Sequence, residues 1–369
     1  VMRVIPGLPS DRFLSFLPLS HALERTGGCY LPMMAGAGVH YARSIPQLAE
    51  DMLLVRPTIL IAVPRIFERV HARVQHKLAE GPAISRALFR RAVEIGYRRV
   101  EHAQGRAPWH PKLLLAPLLD RLVGAKVRAR MGGALRVAVS GGAPLSAEIA
   151  RFFLGLGVPL VQGYGLTEAA PVVTLSPLED NLPESIGKPL PGLEVRIGAD
   201  DELLVRSPGV MRGYWQQPAA TAEVLDPSGW LRTGDQVRVD AADHVFITGR
   251  IKEIIVLANG EKIPPADMEL AIANDDLVSQ VLVVGEGRPF LAALVVLEHD
   301  AYAKLAESAG LEPDLEQEGS SPRLEKLLVA RIADQLSIFP GHAQIRRVGV
   351  VSRPWTIEAD TMTPTMKLK

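Results

Sequence analysis

Cysteine is almost absent from this sequence, because Cys29 is the single thiol among 369 residues. An intramolecular disulfide framework is therefore excluded, and a reducing compartment such as the cytosol is expected. Long hydrophobic runs are absent too. The longest, T-I-L-I-A-V at 58–63, is far below the roughly 18 residues that span a bilayer and is typical of a buried strand. Association with a membrane surface stays open.

Net charge is the third absence. Lys and Arg together number 41, as do Asp and Glu, so the formal charge is zero. A broad electrostatic footprint for nucleic acid is therefore missing, and we exclude nucleic acid as a partner. No cleavable leader opens the chain, but its first residue is Val1 and not an initiator methionine, so we expect that its true amino terminus is absent.

Hydrophobic residues make up 47% of the chain, which is enough for large cores, and a chain of this length normally forms two or more domains. Strand-like runs at Phe13–Leu19 and Thr58–Val63 are each followed by helical periodicity. Pro64 suits the first turn of a helix, and Gln47–Val55 is a further helix that stops before Pro57. Residues 82–130 continue in helical patterns rich in Arg and Leu, an insertion without an evident purpose.

The segment 161–174, V-Q-G-Y-G-L-T-E-A-A-P-V-V-T, joins a short apolar strand to a polar turn. Gly163 and Gly165 permit a positive φ or the close approach of a ligand. The Thr167 hydroxyl and the Glu168 carboxylate are hard oxygen ligands suited to phosphate and magnesium. The string suggests a phosphate-metal site, although an ordinary solvated loop has the same composition.

A second turn of small residues lies shortly before this segment. The strand-like run Leu135–Ser140 leads into Gly141-Gly142-Ala143, and a helix from Pro144 to about Leu156 follows. The next strand, Pro159–Gln162, ends at the polar turn. We expect the two strand ends to lie together, as in α/β ligand crevices. A flat purine fits against the small turn, but small residues equally serve tight helix packing.

From 185 to 248 the sequence alternates short strands with Gly and Pro turns, which predicts an all-β subdomain. Within it, G-W-L-R-T-G-D places Asp235 after a turn. An acceptor-only carboxylate there could bind both hydroxyls of a ribose, although Asp is also a common turn residue.

Beyond residue 250 the chain has its own strands and helices and can form a separate α+β domain, joined near Arg250 to Lys252. Asn259-Gly260 is a hairpin signal. Ser321 and Pro322 predict the start of a helix, since they are a capping residue and a first-turn proline.

Seven ordered motifs resemble those of the AMP-forming acyl-CoA synthetases of the adenylating superfamily, most of all the long-chain fatty-acid CoA ligases. In chain order they are F-L-P-L-S-H-A-L-E-R at 16–25, V-P-R-I-F-E-R-V at 63–70, S-G-G-A-P-L at 140–145, G-Y-G-L-T-E at 163–168, T-G-D at 233–235, G-R-I-K-E at 249–253 and P-T-M-K-L-K at 364–369. Each alone is weak, but together they cover nearly the whole chain in the family's order. The first two and the last have long-chain character, which disfavours a peptide-synthetase adenylation domain or a luciferase.

The resemblance implies an α/β fold in two parts. Residues 1–249 would be the carboxy-terminal part of a large adenylate-forming domain, with α/β layers and a small β-barrel-like subdomain at about 185–248. Residues 250–252 would be a hinge, and 253–369 a smaller mobile α+β domain.

The resemblance also implies a two-step reaction. A fatty-acid carboxylate attacks the α-phosphate of ATP to give acyl-AMP and pyrophosphate, and the thiol of coenzyme A then displaces AMP. ATP, Mg²⁺ and coenzyme A are the implied cofactors, with fatty acid, ATP and CoA as small-molecule substrates. Charge develops at phosphate or carbonyl oxygen in both steps, which calls for fixed cations and dipoles. The implied location is cytoplasmic, with peripheral association at the inner face of a membrane left open.

Each candidate site residue takes its role from the matching motif. The catalytic residues would be Lys367, which reaches phosphate and carboxylate during adenylation, Thr167, which contacts phosphate, and Glu168, which holds magnesium. The residues that bind nucleotide or CoA would be Gly141, Gly142 and Ala143 along the adenine, Gln162, Tyr164 and Gly165 near it, Asp235 and Arg250 at the ribose, Lys252 at the hinge and Gly260 at the pantetheine tunnel.

One departure from the family is large. A Ser/Thr/Gly-rich loop that ends in Lys and embraces the β and γ phosphates should precede the first motif, and no such string is present. We therefore expect a fragment of a longer enzyme that is inactive in isolation. Two alternatives stay open, a fatty acyl-AMP ligase that stops at the adenylate and a non-catalytic remnant that binds nucleotide or acyl groups.

Overall fold

A computed structural model of the chain describes residues 1–312, 321–356 and 359–362. The chain divides into two compact units. The first is Val1–Thr233 with Val237–Ile247, and the second is Gly234–Gln236 with Thr248–Lys369. This division lies close to the predicted boundary at 249/250, but it assigns Gly234–Gln236 to the second unit. The hinge at 250–252 stays a prediction.

The first unit is built on a seven-stranded sheet. Its strands are β1 (Arg12–Ser15), β2 (Gly38–Tyr41), β3 (Ile59–Ala62), β4 (Val137–Ser140), β5 (Leu160–Gly165), β6 (Val172–Leu175) and β7 (Lys188–Pro189). Their spatial order is β2-β1-β3-β4-β5-β6-β7, in which β1 to β5 are parallel and β6 and β7 are antiparallel. Strand β3 is buried along its whole length, as expected for a parallel strand covered on both faces.

The two faces of this sheet contact different cores, because successive side chains of a strand point to opposite sides. Leu60 and Ala62 belong to one core, with Phe67 and Phe153 from helices α4 and α8, which span Pro64–Ala79 and Ala147–Gly155. Ile59 and its neighbours on the opposite face belong to the other core.

The remaining helices of the first unit are α1 (Ala22–Glu24), α2 (Leu31–Ala35), α3 (Leu48–Val55), α5 (Ala83–Ala103), α6 (Ala116–Leu119), α7 (Ala125–Arg130) and α9 (Pro218–Val224). Single 3₁₀ or π-helical stretches at Arg25–Tyr30, Pro111–Leu115 and Asp120–Gly124 connect several of them. The helices predicted from Pro64 and within Gln47–Val55 are confirmed.

The helical insertion at 82–130 docks on the rest of the unit through glycine. A Cβ on Gly96 of α5 would overlap the Gly155 carbonyl of α8, and a Cβ on Gly155 would overlap the Val93 carbonyl. The two helices thus approach backbone to backbone, and Ala92 and Ile95 of α5 are buried in the core beside Phe152. The insertion is therefore a packed part of the unit.

The β-rich region contains a four-stranded sheet in the order β11-β10-β9-β8. The strands are β8 (Glu194–Ile197), β9 (Glu202–Arg206), β10 (Leu231–Val239) and β11 (Val245–Arg250). The all-β prediction for 185–248 was wrong in one place, because α9 interrupts it. P-A-A-T-A-E starts with a proline at the first helical position and is rich in alanine, which outweighs the surrounding strand pattern.

The second unit is α+β, as predicted. Its strands are β12 (Ile255–Val256), β13 (Lys262–Ile263), β14 (Val278–Val284), β15 (Leu291–Leu297) and β16 (Ile345–Val350), and its helices are α10 (Pro265–Ile272), α11 (His299–Ala309) and α12 (Pro322–Gln335). Strands β12 and β13 form the predicted hairpin around Asn259-Gly260. Ser321 caps α12 by accepting hydrogen bonds from the Arg323 and Leu324 amides, which confirms the predicted helix start.

Candidate functional site

The two strand ends singled out in the sequence lie side by side in the first unit. Strands β4 and β5 are parallel, with Ser140 opposite Gln162 at their last paired position. The turn Gly141–Ala143 therefore starts at the same edge of the sheet as the second half of β5. The predicted juxtaposition is confirmed in the geometry, because a Cβ on Gly141 would lie 3.4 Å from the Gly163 carbonyl oxygen.

The backbone conformation favours glycine at one position of this turn. Gly142 has a φ of 84°, in the left-handed region that side chains disfavour. The Gly141 amide donates to the Ala62 carbonyl at 3.1 Å, and Leu23 packs against both glycines. Leu23 belongs to the first sequence motif, so the structure brings the first and third motifs into contact.

Gln162 is buried, and its side chain points into the protein interior. Its amide nitrogen donates to the Pro183 carbonyl at 2.6 Å and more weakly to the Ser185 carbonyl at 3.4 Å. These bonds tie β5 to the segment that leads to β7. The amide nitrogen therefore has a structural task, and the predicted contact of Gln162 with nucleotide stays a prediction.

Position 165 requires glycine because the neighbouring backbone leaves no room for a side chain. A Cβ there would overlap the carbonyl oxygen of Pro171, because the chain folds back so tightly that the Leu166 amide bonds to that same oxygen at 2.9 Å. Tyr164, just before it, is half-buried and packs against the core that includes Val173 and Leu231. Both residues therefore shape the turn that carries Thr167 and Glu168.

Thr167 and Glu168 lie in a single 3₁₀ turn, Thr167–Ala169, with Thr167 exposed. The Glu168 carboxylate accepts a hydrogen bond from the Tyr214 hydroxyl at 2.9 Å, and the Glu168 carbonyl accepts one from the Met211 amide at 2.7 Å. Partial burial, and secondarily the Glu168 carboxylate, raise the pKa of Tyr214 above its ordinary value. Tyr214 is thus a neutral donor that orients Glu168.

Tyr214 was missed by the sequence reasoning. It lies in G-Y-W-Q-Q-P, 46 residues after Glu168, where nothing in the local pattern indicates a partner. A tyrosine in a glycine- and proline-rich connection was the one available signal.

The residues present fit a magnesium ion that is shared with a nucleotide. Within residues 1–312, 321–356 and 359–362, no group of three or more His, Cys, Asp or Glu side chains is arranged to hold a metal. Mg²⁺ does not require such a group, because it usually keeps several waters and binds one or two carboxylates together with substrate phosphates. One partly exposed carboxylate, Glu168, matches that mode of binding.

The second unit brings together the two residues assigned to the ribose. Arg250 Nε lies 3.0 Å from Asp235 Oδ1, and a second nitrogen of the guanidinium, Nη1, lies 3.4 Å from Glu253 Oε1. The Ile251 amide donates to the Gly234 carbonyl at 2.8 Å, which holds the two chain segments together. Asp235 is buried and Arg250 half-exposed, so the pair presents a carboxylate that is fixed in place by an arginine.

Three further residues of this unit were predicted to contribute to the site. Lys252 is exposed in the turn after Arg250. Gly260 has a φ of 85° in the β12–β13 hairpin, and a Cβ there would meet no atom within 4 Å. Lys367 lies outside the described residues. The roles of these three residues stay predictions.

Burial raises the pKa of two further carboxyls, and the sequence did not predict that burial, although Glu24 lies in the first motif. Glu24 is 1% exposed and accepts a hydrogen bond from Ser15 Oγ at 2.5 Å, and burial raises its pKa to about 7. Glu269 in the second unit accepts a bond from the Val283 amide at 2.8 Å, and burial likewise raises its pKa to about 7. Burial is set by tertiary packing, so it could not be predicted from the sequence for either residue.

Known proteins resemble this chain along nearly its whole length. Long-chain-fatty-acid--CoA ligase FadD15 of Mycobacterium tuberculosis is 35% identical over 368 residues, which are 97% of this chain and 60% of the relative. Long chain acyl-CoA synthetase 7, peroxisomal, of Arabidopsis thaliana is 31% identical over 385 residues, which are 98% of this chain and 53% of the relative. The chain therefore spans little more than half the length of these relatives.

The fold is similar to that of the A domain of carboxylic acid reductase from Segniliparus rugosus, solved with AMP and a co-purified carboxylic acid. The TM-score is 0.70 at 24% identity, over 97% of this chain and 52% of that one. At this identity the likeness concerns the fold alone, and it confirms the predicted α/β class.

Two family models match the chain in the expected order. The model described as AMP-binding enzyme matches residues 2–215, and the model described as AMP-binding enzyme C-terminal domain matches residues 252–359. The first match covers more than half of the chain and includes the turns at Gly141 and Glu168. The second begins at Lys252. On these grounds the chain belongs to the AMP-binding enzyme family, as its seven motifs predicted.

Proposed function

We propose that this chain is part of a long-chain fatty-acid CoA ligase that activates its substrate through an acyl adenylate. The observation that carries the proposal is the register of Ser140 opposite Gln162, which sets the small-residue turn beside the turn that bears Thr167 and Glu168. In an α/β sheet, ligands bind at such carboxyl ends of strands. The names of the relatives support a fatty acid as the acyl substrate.

The proposed reaction has two balanced steps. A carboxylate oxygen of the fatty acid forms a bond to the α-phosphorus of ATP, and the bond from that phosphorus to the bridging oxygen breaks, which releases pyrophosphate. The sulfur of coenzyme A then attacks the acyl carbonyl carbon. The carbon–oxygen bond to AMP breaks, AMP leaves and the thiol proton is lost.

In this proposal the first unit holds the nucleotide. The Gly141–Ala143 turn accepts the flat adenine because it carries no bulky side chain, and the exposed Thr167 hydroxyl donates to a phosphate oxygen. Glu168, oriented by Tyr214, would hold Mg²⁺, which supplies positive charge to the phosphates when bound. Gln162 and Gly165 keep this edge in shape through the backbone contacts described above.

The second unit would supply the ribose and CoA contacts. Asp235 accepts from the ribose hydroxyls while Arg250 holds the carboxylate in place. Lys252 would act at the hinge, Gly260 would leave room for pantetheine, and Lys367 would place its ammonium on the phosphate and carboxylate during the first step. Binding of a developing anion by fixed cations is the main catalytic need of such a reaction.

The test supplies a form of the protein that also carries the phosphate-binding loop with a saturated long-chain fatty acid, ATP, Mg²⁺ and CoA, and separately with synthetic acyl-AMP and CoA. The purified chain, which we expect to be inactive in isolation, is assayed beside it. We expect acyl-CoA from the supplied adenylate, with AMP as the second product. Acyl-AMP that accumulates without thioester would instead support an acyl-AMP ligase. AMP binding measured by calorimetry without turnover in either assay would support the binding-only alternative and overturn the ligase proposal.

Location is part of the proposal. None of the helices in the described part of the chain is both long and apolar enough to cross a bilayer. We propose a cytoplasmic protein that associates peripherally with a membrane, since its acyl substrate partitions into lipid.

A further inference from the structure

The helical insertion exposes a row of leucines. Leu114, Leu115, Leu118 and Leu122 have exposed fractions of 74%, 49%, 57% and 41%. Three of them follow one another at intervals of four residues, so they lie on one side of the helical stretch that runs from Pro111 to Arg130. Trp109, which precedes this stretch, is 56% exposed. We call these five residues the leucine face.

The opposite side of the same stretch is already used for packing. Ala116, Leu119 and Val123, at helical spacing, are buried in the core that includes Ala92 and Ile95 of α5. The stretch is therefore apolar on two sides, and only one of them is covered by the described chain. A surface helix normally has a polar outer side, and a contiguous apolar patch that stays exposed marks an interaction site.

Charge around the leucine face is strongly one-sided. Residues 83–130 contain 11 Lys and Arg but only 3 Asp and Glu, in a chain whose total charge is zero. Eight of these basic side chains are exposed, whereas Glu94 is the one acidic side chain among residues 83–130 that is exposed. Lys112 and Arg121 flank the leucines, and the Lys112 ammonium lies 4.0 Å from Glu94 Oε1 in an exposed ion pair. The positive charge of this surface complements an anionic partner.

We propose that the leucine face is the surface by which this protein docks on an anionic lipid bilayer. Leucine and tryptophan would enter the boundary between headgroups and acyl chains, while Lys112 and Arg121 would extend to the lipid phosphates. Tryptophan is enriched at this depth of a bilayer, and each basic side chain near the surface adds to the attraction. This inference deepens the proposed peripheral association, and its test does not require ligase activity.

A second copy of the chain is the competing occupant of the face. Two such faces would bring their exposed basic side chains together, and like charges across an interface oppose association. An anionic bilayer offers an apolar interior for the leucines and negatively charged phosphates for the basic side chains. The charge complementarity therefore favours lipid over self-association.

The test is flotation of the purified chain with vesicles of phosphatidylcholine alone or mixed with phosphatidylglycerol. We expect binding to the mixed vesicles that weakens when salt is raised from about 0.1 M to about 1 M, because the Debye length shrinks from about 10 Å to about 3 Å. Leu114→Ser/Leu118→Ser should lower the partition coefficient about tenfold or more, since two apolar side chains would no longer enter the bilayer. Lys112→Glu/Arg121→Glu should lower it about tenfold on mixed vesicles, with little change on phosphatidylcholine alone.

The matched control is Met33→Ser/Met34→Ser. These methionines are 71% and 75% exposed on α2, whose Leu31 packs in the core on the other face of the sheet. We expect the control to bind vesicles like the wild type, and circular dichroism would verify that each variant is folded. Equal binding by the leucine variant and the wild type would overturn the proposal. So would a leucine variant that loses self-association in sedimentation analysis while its vesicle binding is unchanged.

Discussion

The Tyr214 hydroxyl donates a hydrogen bond to the Glu168 carboxylate across 2.9 Å, between residues that are 46 positions apart. A second bond, from the Met211 amide to the Glu168 carbonyl, fixes the same two segments to each other. The carboxylate proposed to hold magnesium is therefore held in one orientation before any ligand arrives. Preorganisation of this kind is what an outer partner gives to a metal-binding carboxylate.

Tyr214→Phe is expected to weaken Mg²⁺-dependent ATP binding by about tenfold, because Glu168 loses the donor that orients it. Calorimetric titration with ATP, in the presence of Mg²⁺ and in the presence of a chelator, measures the effect. The exposed Tyr41→Phe is the control and should change nothing. A loss of the same size in the chelator would mean that Tyr214 acts on the fold and not on the metal-binding carboxylate.

Asp235→Asn should abolish discrimination between AMP and dideoxy-AMP, which lacks both ribose hydroxyls. The wild type should prefer AMP by roughly tenfold to a hundredfold, since hydrogen bonds to a charged acceptor contribute about 1.5 to 3 kcal/mol. Competition binding with the two nucleotides gives this ratio, and Asp243→Asn in an exposed turn is the control. If Asp235→Asn keeps the wild-type ratio, the ribose assignment is wrong.

In a form of the protein with measurable thioester formation, Gly260→Leu is expected to slow the reaction of supplied acyl-AMP with CoA by at least about tenfold, about 1.4 kcal/mol in the barrier, because a side chain would obstruct pantetheine. Gly287→Leu is the matched control. Both glycines have a positive φ, 85° for Gly260 and 64° for Gly287, and both face open space. A leucine therefore strains the backbone in a similar way at either position. Equal rates for the two variants would refute the tunnel assignment.

Lys367→Ala should reduce pyrophosphate release from fatty acid and ATP about a hundred- to a thousandfold, because one preorganised contact to the transition state contributes about 3 to 4 kcal/mol. Thioester formation from supplied acyl-AMP should stay near the wild-type rate, since the lysine is proposed to act in the first step alone. The comparison needs a form of the protein with measurable adenylation, and Lys369→Ala is the control. Equal losses in both steps would indicate a role in folding.

Glu24→Gln is expected to change the dependence of stability on pH. Burial raises the pKa of Glu24 from 4.5 to about 7, so the folded chain binds this proton more tightly than the unfolded chain. The stability due to this group is therefore fully present below about pH 4.5, falls as the pH rises to about 7 and stays low above it. Since Gln is neutral throughout, the variant should exceed the wild type above pH 7 by up to about 3 kcal/mol.

Urea unfolding at several pH values between about 4 and about 8 measures this difference for Glu24→Gln. The exposed Glu223→Gln serves as control and should follow the wild-type curve. A difference between Glu24→Gln and the wild type that does not vary with pH would show that folding does not shift the pKa of Glu24.

Features of this protein that depend on short-range geometry could be predicted from its sequence. The Ser321 cap, the Asn259-Gly260 hairpin and the two strands that pair at Ser140 and Gln162 follow from the steric preferences of neighbouring residues and from hydrophobic periodicity. Such preferences act over a few neighbouring positions, so they can be recognised in the amino-acid sequence. The family could also be predicted, because its motifs are short strings whose order is read directly along the chain.

Tertiary packing sets which distant side chains meet and which are withdrawn from water. The pairing of Tyr214 with Glu168, the ion pair of Asp235 with Arg250 and the burial of Glu24 depend on chain segments that the fold brings together. Gly165 was chosen as a candidate ligand contact, yet the fold shows that the Pro171 carbonyl occupies the space where its side chain would be. Burial and long-range contact are properties of the packed molecule, so local sequence patterns carry no record of them.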